Sequence, residues 1–185
     1  HGGVVFVGDF IESKTIRAWC IGCSTGEEAC SLAITLCEVL EQHSEFKGYS
    51  LQIFASDLSP DAISSARRGQ YPLSIAEHVS AERLERFFSR HDNYYQIKQA
   101  VRDMILFAQH DVILDAPFTR LDILCCRNVL IYFSPEVKTK IIRQFAQALN
   151  SRGYLILGAS ESLSSLNEDF EMLRCNPGII YRKKT

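Results

Sequence analysis

The sequence predicts an α/β fold built on a mostly parallel sheet, with antiparallel additions late in the chain. Three observations carry this. Short apolar runs alternate with amphipathic helical stretches from residue 16 onward, the capping signals of those helices agree with their apolar periodicity, and two apolar runs near the C-terminus flank Asn176-Pro177-Gly178 as a hairpin. The first unit is Ile16–Glu28, IRAWCIGCSTGEE, a buried strand, a glycine-bearing turn and a helix start. The helix that follows sets Ala29, Leu32, Ala33, Leu36 and Leu40 on one face at the 3.6-residue period, so it packs on a sheet. LQIFASD is the next strand, ending in Asp57. Ser59-Pro60 then supplies an N-cap and first helical residue, and Gly69 after Arg67-Arg68 closes that helix.

A turn is expected at Tyr71-Pro72, then a short helix over Ser80–Phe88 with Leu84, Phe87 and Phe88 on its apolar side. YYQI and VRDMILFA read as strands, and LDILCC as a further buried one. Ser134-Pro135-Glu136 opens a helix whose Val137, Ile141, Phe145 and Ala148 share a face, and Gly153 ends the connection to strand YLIL. EMLRC and GIIYR form the terminal hairpin. No internal repeat or long linker interrupts the pattern, so residues 1–185 read as one domain, with 71–104 a small excursion from the main sheet.

A chain of 185 residues with 46% hydrophobic and 23% charged content can bury a real core. The formal net charge of −2 provides no global basic field, which argues against a nucleic-acid partner held by phosphate contacts. No apolar run approaches the roughly 20 residues needed to cross a bilayer. HGGVVFVGDF also lacks the basic start and long apolar region of a signal peptide, so a cytoplasmic location without membrane insertion is expected. Seven cysteines, mostly within apolar segments, read as reduced, buried thiols.

In open parallel sheets ligands lie across the carboxyl ends of the strands, so the residues just after each strand are the candidates. The first group is Gly22–Glu28. A helix N-terminus with turn glycines lets a ligand approach the backbone, but Glu27 and Glu28 place negative charge in the first helical turn. Those acids repel a pyrophosphate and favour a cationic ligand. S-adenosylmethionine, with its amino group and sulfonium, fits, whereas the dinucleotide fingerprint is broken because Ser24 replaces its middle glycine. The second candidate is Asp57, placed to grip ribose hydroxyls, about 30 residues past the glycine turn because the first helix is long. The third is Asp111-Val112, a carboxylate for an adenine amino group and a side chain to cover the ring. The fourth is Arg127-Asn128, with Tyr132 a turn further on.

Each has a structural reading as well. Asp57 can cap a turn two residues before Ser59, the glutamates can merely complement the helix dipole, and Arg127 can pair with an acid on the surface. What favours a site is that all four groups fall at strand carboxyl ends. Cys20-x-x-Cys23 matches half a zinc site or a redox pair, yet no second such motif exists and adjacent strand cysteines point to opposite faces, so packing is the expected role.

GCSTGEE, FASDLSPDAISSARRGQYP, RLDILCCRNVLIYF and GYLILGASES together resemble the chemotaxis receptor methyltransferase family, the CheR-type glutamate O-methyltransferases, over about residues 16–183. The resemblance implies a class I methyltransferase, Rossmann-like seven-stranded sheet that binds S-adenosylmethionine, releases S-adenosylhomocysteine, and converts receptor glutamates to γ-glutamyl methyl esters. By matching position, the STGEE acids Glu27 and Glu28 would approach the methionine end, Asp57 the ribose, Asp111-Val112 the adenine and Asn128 the cofactor's inner side, with Gly22 and Ser24 also among the cofactor-binding residues. Arg127 and Tyr132 would border the methyl group and the incoming carboxylate.

Two departures are notable. Members usually carry an N-terminal helical domain and an N-x-T-x-F-F-R segment before the first strand, where this chain has HGGVVFVGDFIESK. SRHDNYYQI, in the family's small β-subdomain, is short and lacks glycine, so recognition of the cytoplasmic part of a chemoreceptor-like protein is expected to be independent of a C-terminal tether. The leading expectation is thus a receptor glutamate methyltransferase. A non-catalytic cofactor-binding or scaffolding module is the second, and an NAD-dependent oxidoreductase is disfavoured by Ser24 and the paired glutamates.

Overall fold

The computed structural model describes residues 14–163, 168–175 and 178–185. The expected N-terminal departure and the Asn176-Pro177 turn lie outside them.

Alternation along three strands divides the core between the two faces of one sheet. β1 (Thr15–Ile21), β2 (Ser50–Asp57) and β7 (Leu121–Cys126) lie at its centre. On one face Ala18, Cys20, Ile53 and Ala55 pack with Ala29, Cys30, Ala33 and Ile34 of α1 (Glu27–Gln42) and Ile63 and Ala66 of α2 (Pro60–Arg68). On the other, Trp19, Ile21, Phe54 and Leu124 pack with Ile141, Ile142 and Phe145 of α5 (Pro135–Ala148). Period-two alternation is what sends Trp19 and Cys20 to opposite sides. The small residues facing α1 let it sit close, and its buried stripe runs through Ala29, Cys30, Ala33 and Ile34, with Leu32 and Leu36 at its margin. On the α5 side the space is filled by aromatic rings: Trp19 meets Phe118 and Phe145 edge-on, and Phe54 stacks on Phe118 at 4.3 Å.

The remaining strands are β6 (Ile105–Gln109), β8 (Leu149–Leu157), β9 (Phe170–Cys175) and β10 (Gly178–Lys183). The order across the seven-stranded sheet is β6-β2-β1-β7-β8-β10-β9. The first five are parallel, and β10 runs antiparallel to both β8 and β9, so the expected hairpin closes the sheet. A second sheet, β3-β5-β4, is formed by β3 (Gln70–Pro72), β4 (Phe88–Arg90) and β5 (Tyr94–Ile97), with α3 (Ala81–Phe87) between β3 and β4.

Capping follows the sequence closely. The Ser59 hydroxyl accepts from the Ala62 amide with Pro60 at the first position, Ser134 does the same for Val137 ahead of Pro135, and Gly69 caps α2 in the left-handed conformation. Three expectations are revised. Tyr71-Pro72 is strand rather than turn, because the partner that makes it so, Tyr94-Tyr95 of β5, lies more than twenty residues on. VRDMILFA splits into a helical turn, α4 (Gln99–Arg102), and strand β6, which lets Val101 reach the core. Helix α5 passes into β8 at Leu149 without a separate connection, and Gly153 lies inside that strand beside the register shift between Leu121 and Ile123.

Candidate active site

The ladder registers place the candidate residues on one edge. Ile21 is level with Ser56 and with Cys126, Asp57 with Gln109, and Cys126 with Leu157. The segments starting at Gly22, Leu58, His110, Arg127 and Gly158 therefore all leave the sheet from its carboxyl edge. The chain builds β2 and β6 on one side of β1, then β7 and β8 on the other, so the topological switch falls between β1 and β7. A crevice is expected at that point in an open α/β sheet.

The turn from β1 to α1 is shaped by left-handed residues. Gly22, Ser24 and Gly26 have φ of 67°, 47° and 94°. A Cβ on Gly22 would lie 2.4 Å from Val129 Cγ2, so glycine lets this turn touch the one after β7. Ser24 is not a glycine, and its conformation is held by a carboxylate: the Ser24 amide donates to Asp57 Oδ2 at 2.9 Å. Asp57 Oδ1 accepts from the Ser59 amide, also at 2.9 Å. Asp57 is thus both the turn former of the structural reading and a brace for the turn from β1 to α1, and it is half-buried. The Cys23 amide donates to the Ser56 carbonyl, a second tie between β1 and β2.

Glu27 and Glu28 part company at the start of α1. Exposed Glu27 accepts from the Thr25 hydroxyl at 2.7 Å. Glu28 turns across the switch point, where Oε1 lies 3.4 Å from both Arg127 Nη1 and Cys125 Sγ. The Glu28–Arg127 pair ties the start of α1 to the turn after β7 and leaves half of the arginine side chain exposed. N-cap Gly26 gives α1 no side-chain cap, which leaves the first-turn amides without that partner.

The other candidates are placed as follows. Asp111 turns inward on its own loop, with Oδ1 accepting from the Ile113 and Leu114 amides, and Val112 packs partly buried on the α5-side core. Asn128 is exposed in the left-handed conformation at φ 58°. Tyr132 ends a 3-10 turn, Leu130–Tyr132, with 79% of its surface exposed. The structure therefore gathers Gly22, Ser24, Glu28, Asp57, Arg127 and Asn128 around the switch point, with Asp111-Val112 and Tyr132 on flanking loops.

One residue at this edge was missed by sequence reasoning. Glu161, in the GASES segment after β8, is 4% exposed and accepts four backbone amides. The available signal was an acid among small residues just past a buried strand.

Burial governs the thiols. The Cys23 thiol is pushed up to about 12, first by burial and then by the Asp57 charge. Burial also raises Cys20, Cys125 and Cys126, with Glu28 adding to the rise at Cys125. Among the described residues no three His, Cys, Asp or Glu side chains come together as a metal site. At pH 8 only about one Cys23 in 10⁴ is thiolate. Iodoacetamide treatment of the native chain is accordingly expected to leave Cys20, Cys23, Cys125 and Cys126 unmodified by mass spectrometry. Rapid labelling there would contradict the packing role.

A family model described as "CheR methyltransferase, SAM binding domain" matches residues 6–179. The chain is 41% identical over 174 residues to the chemotaxis protein methyltransferase of Vibrio parahaemolyticus, covering 92% of this chain and 63% of that protein. It is 37% identical over 174 residues to chemotaxis protein methyltransferase 1 of Pseudomonas aeruginosa, covering 92% and 64%. It is also 40% identical over 160 residues to an uncharacterized 104.1 kDa protein of Rhodobacter capsulatus, covering 86% of this chain and 17% of that protein. The chain thus spans less than two thirds of the length of these relatives. Among solved structures, the N-methyltransferase NodS of Bradyrhizobium japonicum, in complex with S-adenosyl-L-homocysteine, superposes with a TM-score of 0.57 at 14% identity, over 92% of this chain and 79% of that one. A TehB-like SAM-dependent methyltransferase of Corynebacterium glutamicum gives 0.54 at 12% identity, over 91% and 80%. At those identities the likeness is one of fold.

Proposed function

Because this chain belongs to the CheR methyltransferase family and carries its S-adenosylmethionine-binding domain, we propose that it methylates glutamate side chains on the cytoplasmic part of a chemoreceptor-like protein. The products are a γ-glutamyl methyl ester and S-adenosylhomocysteine. The observation that carries this reading is the half-exposed Arg127, held by Glu28 across the switch point, a cation at the strand edge that also carries Glu27 and Asp57.

The residues present suit the cofactor. Asp57 keeps lone pairs for ribose hydroxyls beyond the two amides it accepts. The uncapped start of α1 offers amides to a carboxylate, while Glu27 lies beside it for an amino group. When bound, S-adenosylmethionine supplies a methyl group activated by a sulfonium, which leaves as a neutral thioether. A substrate glutamate, with a reference pKa of about 4.3, is already ionised at neutral pH and needs no general base. The work left for the chain is positioning. Arg127 would hold the incoming carboxylate with one oxygen facing the methyl group that the bound cofactor would supply. Glu28 tempers that grip, which matters because the carboxylate loses its charge in the transition state. Tyr132 borders the approach. The turn between β4 and β5 holds only residues 91–93, with the His91 amide on the Tyr94 carbonyl, which supports recognition without a receptor tether.

The test is incubation with methyl-labelled S-adenosylmethionine and the cytoplasmic fragment of a chemoreceptor, reading methanol released by base. Base-labile label in the receptor is expected, reduced about tenfold or more by Arg127→Ala. Cofactor binding without any transfer would instead support a non-catalytic module.

A further inference from the structure

We propose that Glu161 is a positioning residue that sets the cofactor-facing turn after β7 from beneath. The inference rests on reading the switch-point crevice as the cofactor site. Glu161 Oε2 accepts from the Asn128 amide and the Gly158 amide, both at 2.8 Å. Oε1 accepts from Val129 at 3.0 Å and Leu130 at 2.8 Å. Three consecutive amides of one turn, and one from the next, thus converge on a single carboxylate that solvent does not reach. Four acceptor directions are filled by four donors.

The carboxylate specifies conformation as well as position. Asn128 sits at φ 58°, a costly place for a residue with a Cβ, and three successive amides aimed inward at Glu161 are what holds it there. Gly158 makes room for the arrangement: a Cβ there would lie 2.6 Å from Glu161 Oε2 and 2.9 Å from Asn128 Oδ1. Arg127, Asn128 and Tyr132 all hang on the segment so fixed, so the orientation of three candidate site residues depends on one buried acid. Glutamine is the informative substitution. It preserves shape, but its NH₂ faces two amides as donor against donor, and the turn must rearrange.

The experiment is calorimetric titration with S-adenosylhomocysteine of the parent chain, Glu161→Gln, Asn128→Gly and the double variant. Each is measured at a temperature where circular dichroism shows it folded. Glu161→Gln is expected to weaken binding about tenfold. It is expected to do little in the Asn128→Gly background, since residues acting as one unit are not additive. A merely structural carboxylate would lower the melting temperature and leave the affinity of the folded protein unchanged. Unchanged affinity, or an equal loss in both backgrounds, overturns the proposal. If Glu161→Gln does not fold, amide resonances of the parent decide: S-adenosylhomocysteine must shift those of Asn128, Val129 and Leu130, and static resonances overturn it. A parent chain that binds no S-adenosylhomocysteine would instead remove the cofactor reading itself.

Discussion

Asp57→Ala is expected to abolish S-adenosylhomocysteine binding in a calorimetric titration, with a loss of at least about 100-fold in affinity. Two effects combine. The substitution removes the carboxylate proposed to grip the ribose, and it releases the Ser24 and Ser59 amides that Asp57 holds. Each charge-assisted hydrogen bond contributes about 1.5–3 kcal/mol. Once Oδ2 is gone, the Ser24 amide loses the carboxylate that offsets its left-handed strain, and the turn relaxes away from the ligand. Asp57→Asn separates the two roles. Its amide oxygen can keep one of the two backbone bonds, so binding should weaken by less than in the alanine variant. Undiminished affinity in Asp57→Ala would remove both the ribose contact and the brace.

Trp19→Ala is expected to cost about 3–5 kcal/mol of stability, the range for emptying a large aromatic site. Trp19 is 1% exposed, lies edge-on to His110, Phe118 and Phe145, and donates from Nε1 to the buried Ser56 hydroxyl at 2.8 Å. Domains of this kind have about 5–15 kcal/mol in total, so the variant should be marginal. Trp19 is the single tryptophan of the chain, so urea unfolding has to be followed by far-ultraviolet circular dichroism. Trp19→Phe keeps most of the ring volume but leaves Ser56 without its donor, and a loss of about 1–2 kcal/mol is expected. A cost below about 1 kcal/mol for the alanine variant would contradict the central packing role.

The parts of the fold that the sequence made legible are those with local causes. Ser59-Pro60, Gly69 and Ser134-Pro135 act on amides within one turn of themselves, and their helices begin and end where the residues say. Tyr71-Pro72 and the start of β8 depart from the sequence expectation because strand pairing is decided by distant partners, Tyr94-Tyr95 in one case and Leu121 in the other. The same division runs through the site. Strand ends place Gly22, Asp57 and Arg127 on one edge, and that follows from alternation and topology alone. That Glu28 reaches Arg127, or that Glu161 gathers amides from more than 30 residues upstream, depends on how two loops meet across the sheet. Asp111 shows the converse. Its position after β6 was legible, but the inward turn onto Ile113 and Leu114 is local loop geometry that many sequences could adopt or avoid.

The contact between Gly22 and Val129 bears on how this site can change over generations. With Val129 Cγ2 only 2.4 Å from where a Cβ on Gly22 would lie, the two turns interlock like adjacent teeth. Residue 22 is closed to enlargement on two counts, because valine stands opposite and because a φ of 67° strains any side chain there, so trimming residue 129 relieves only the first. Positions 22 and 129, more than a hundred residues apart along the chain, thus share one packing constraint.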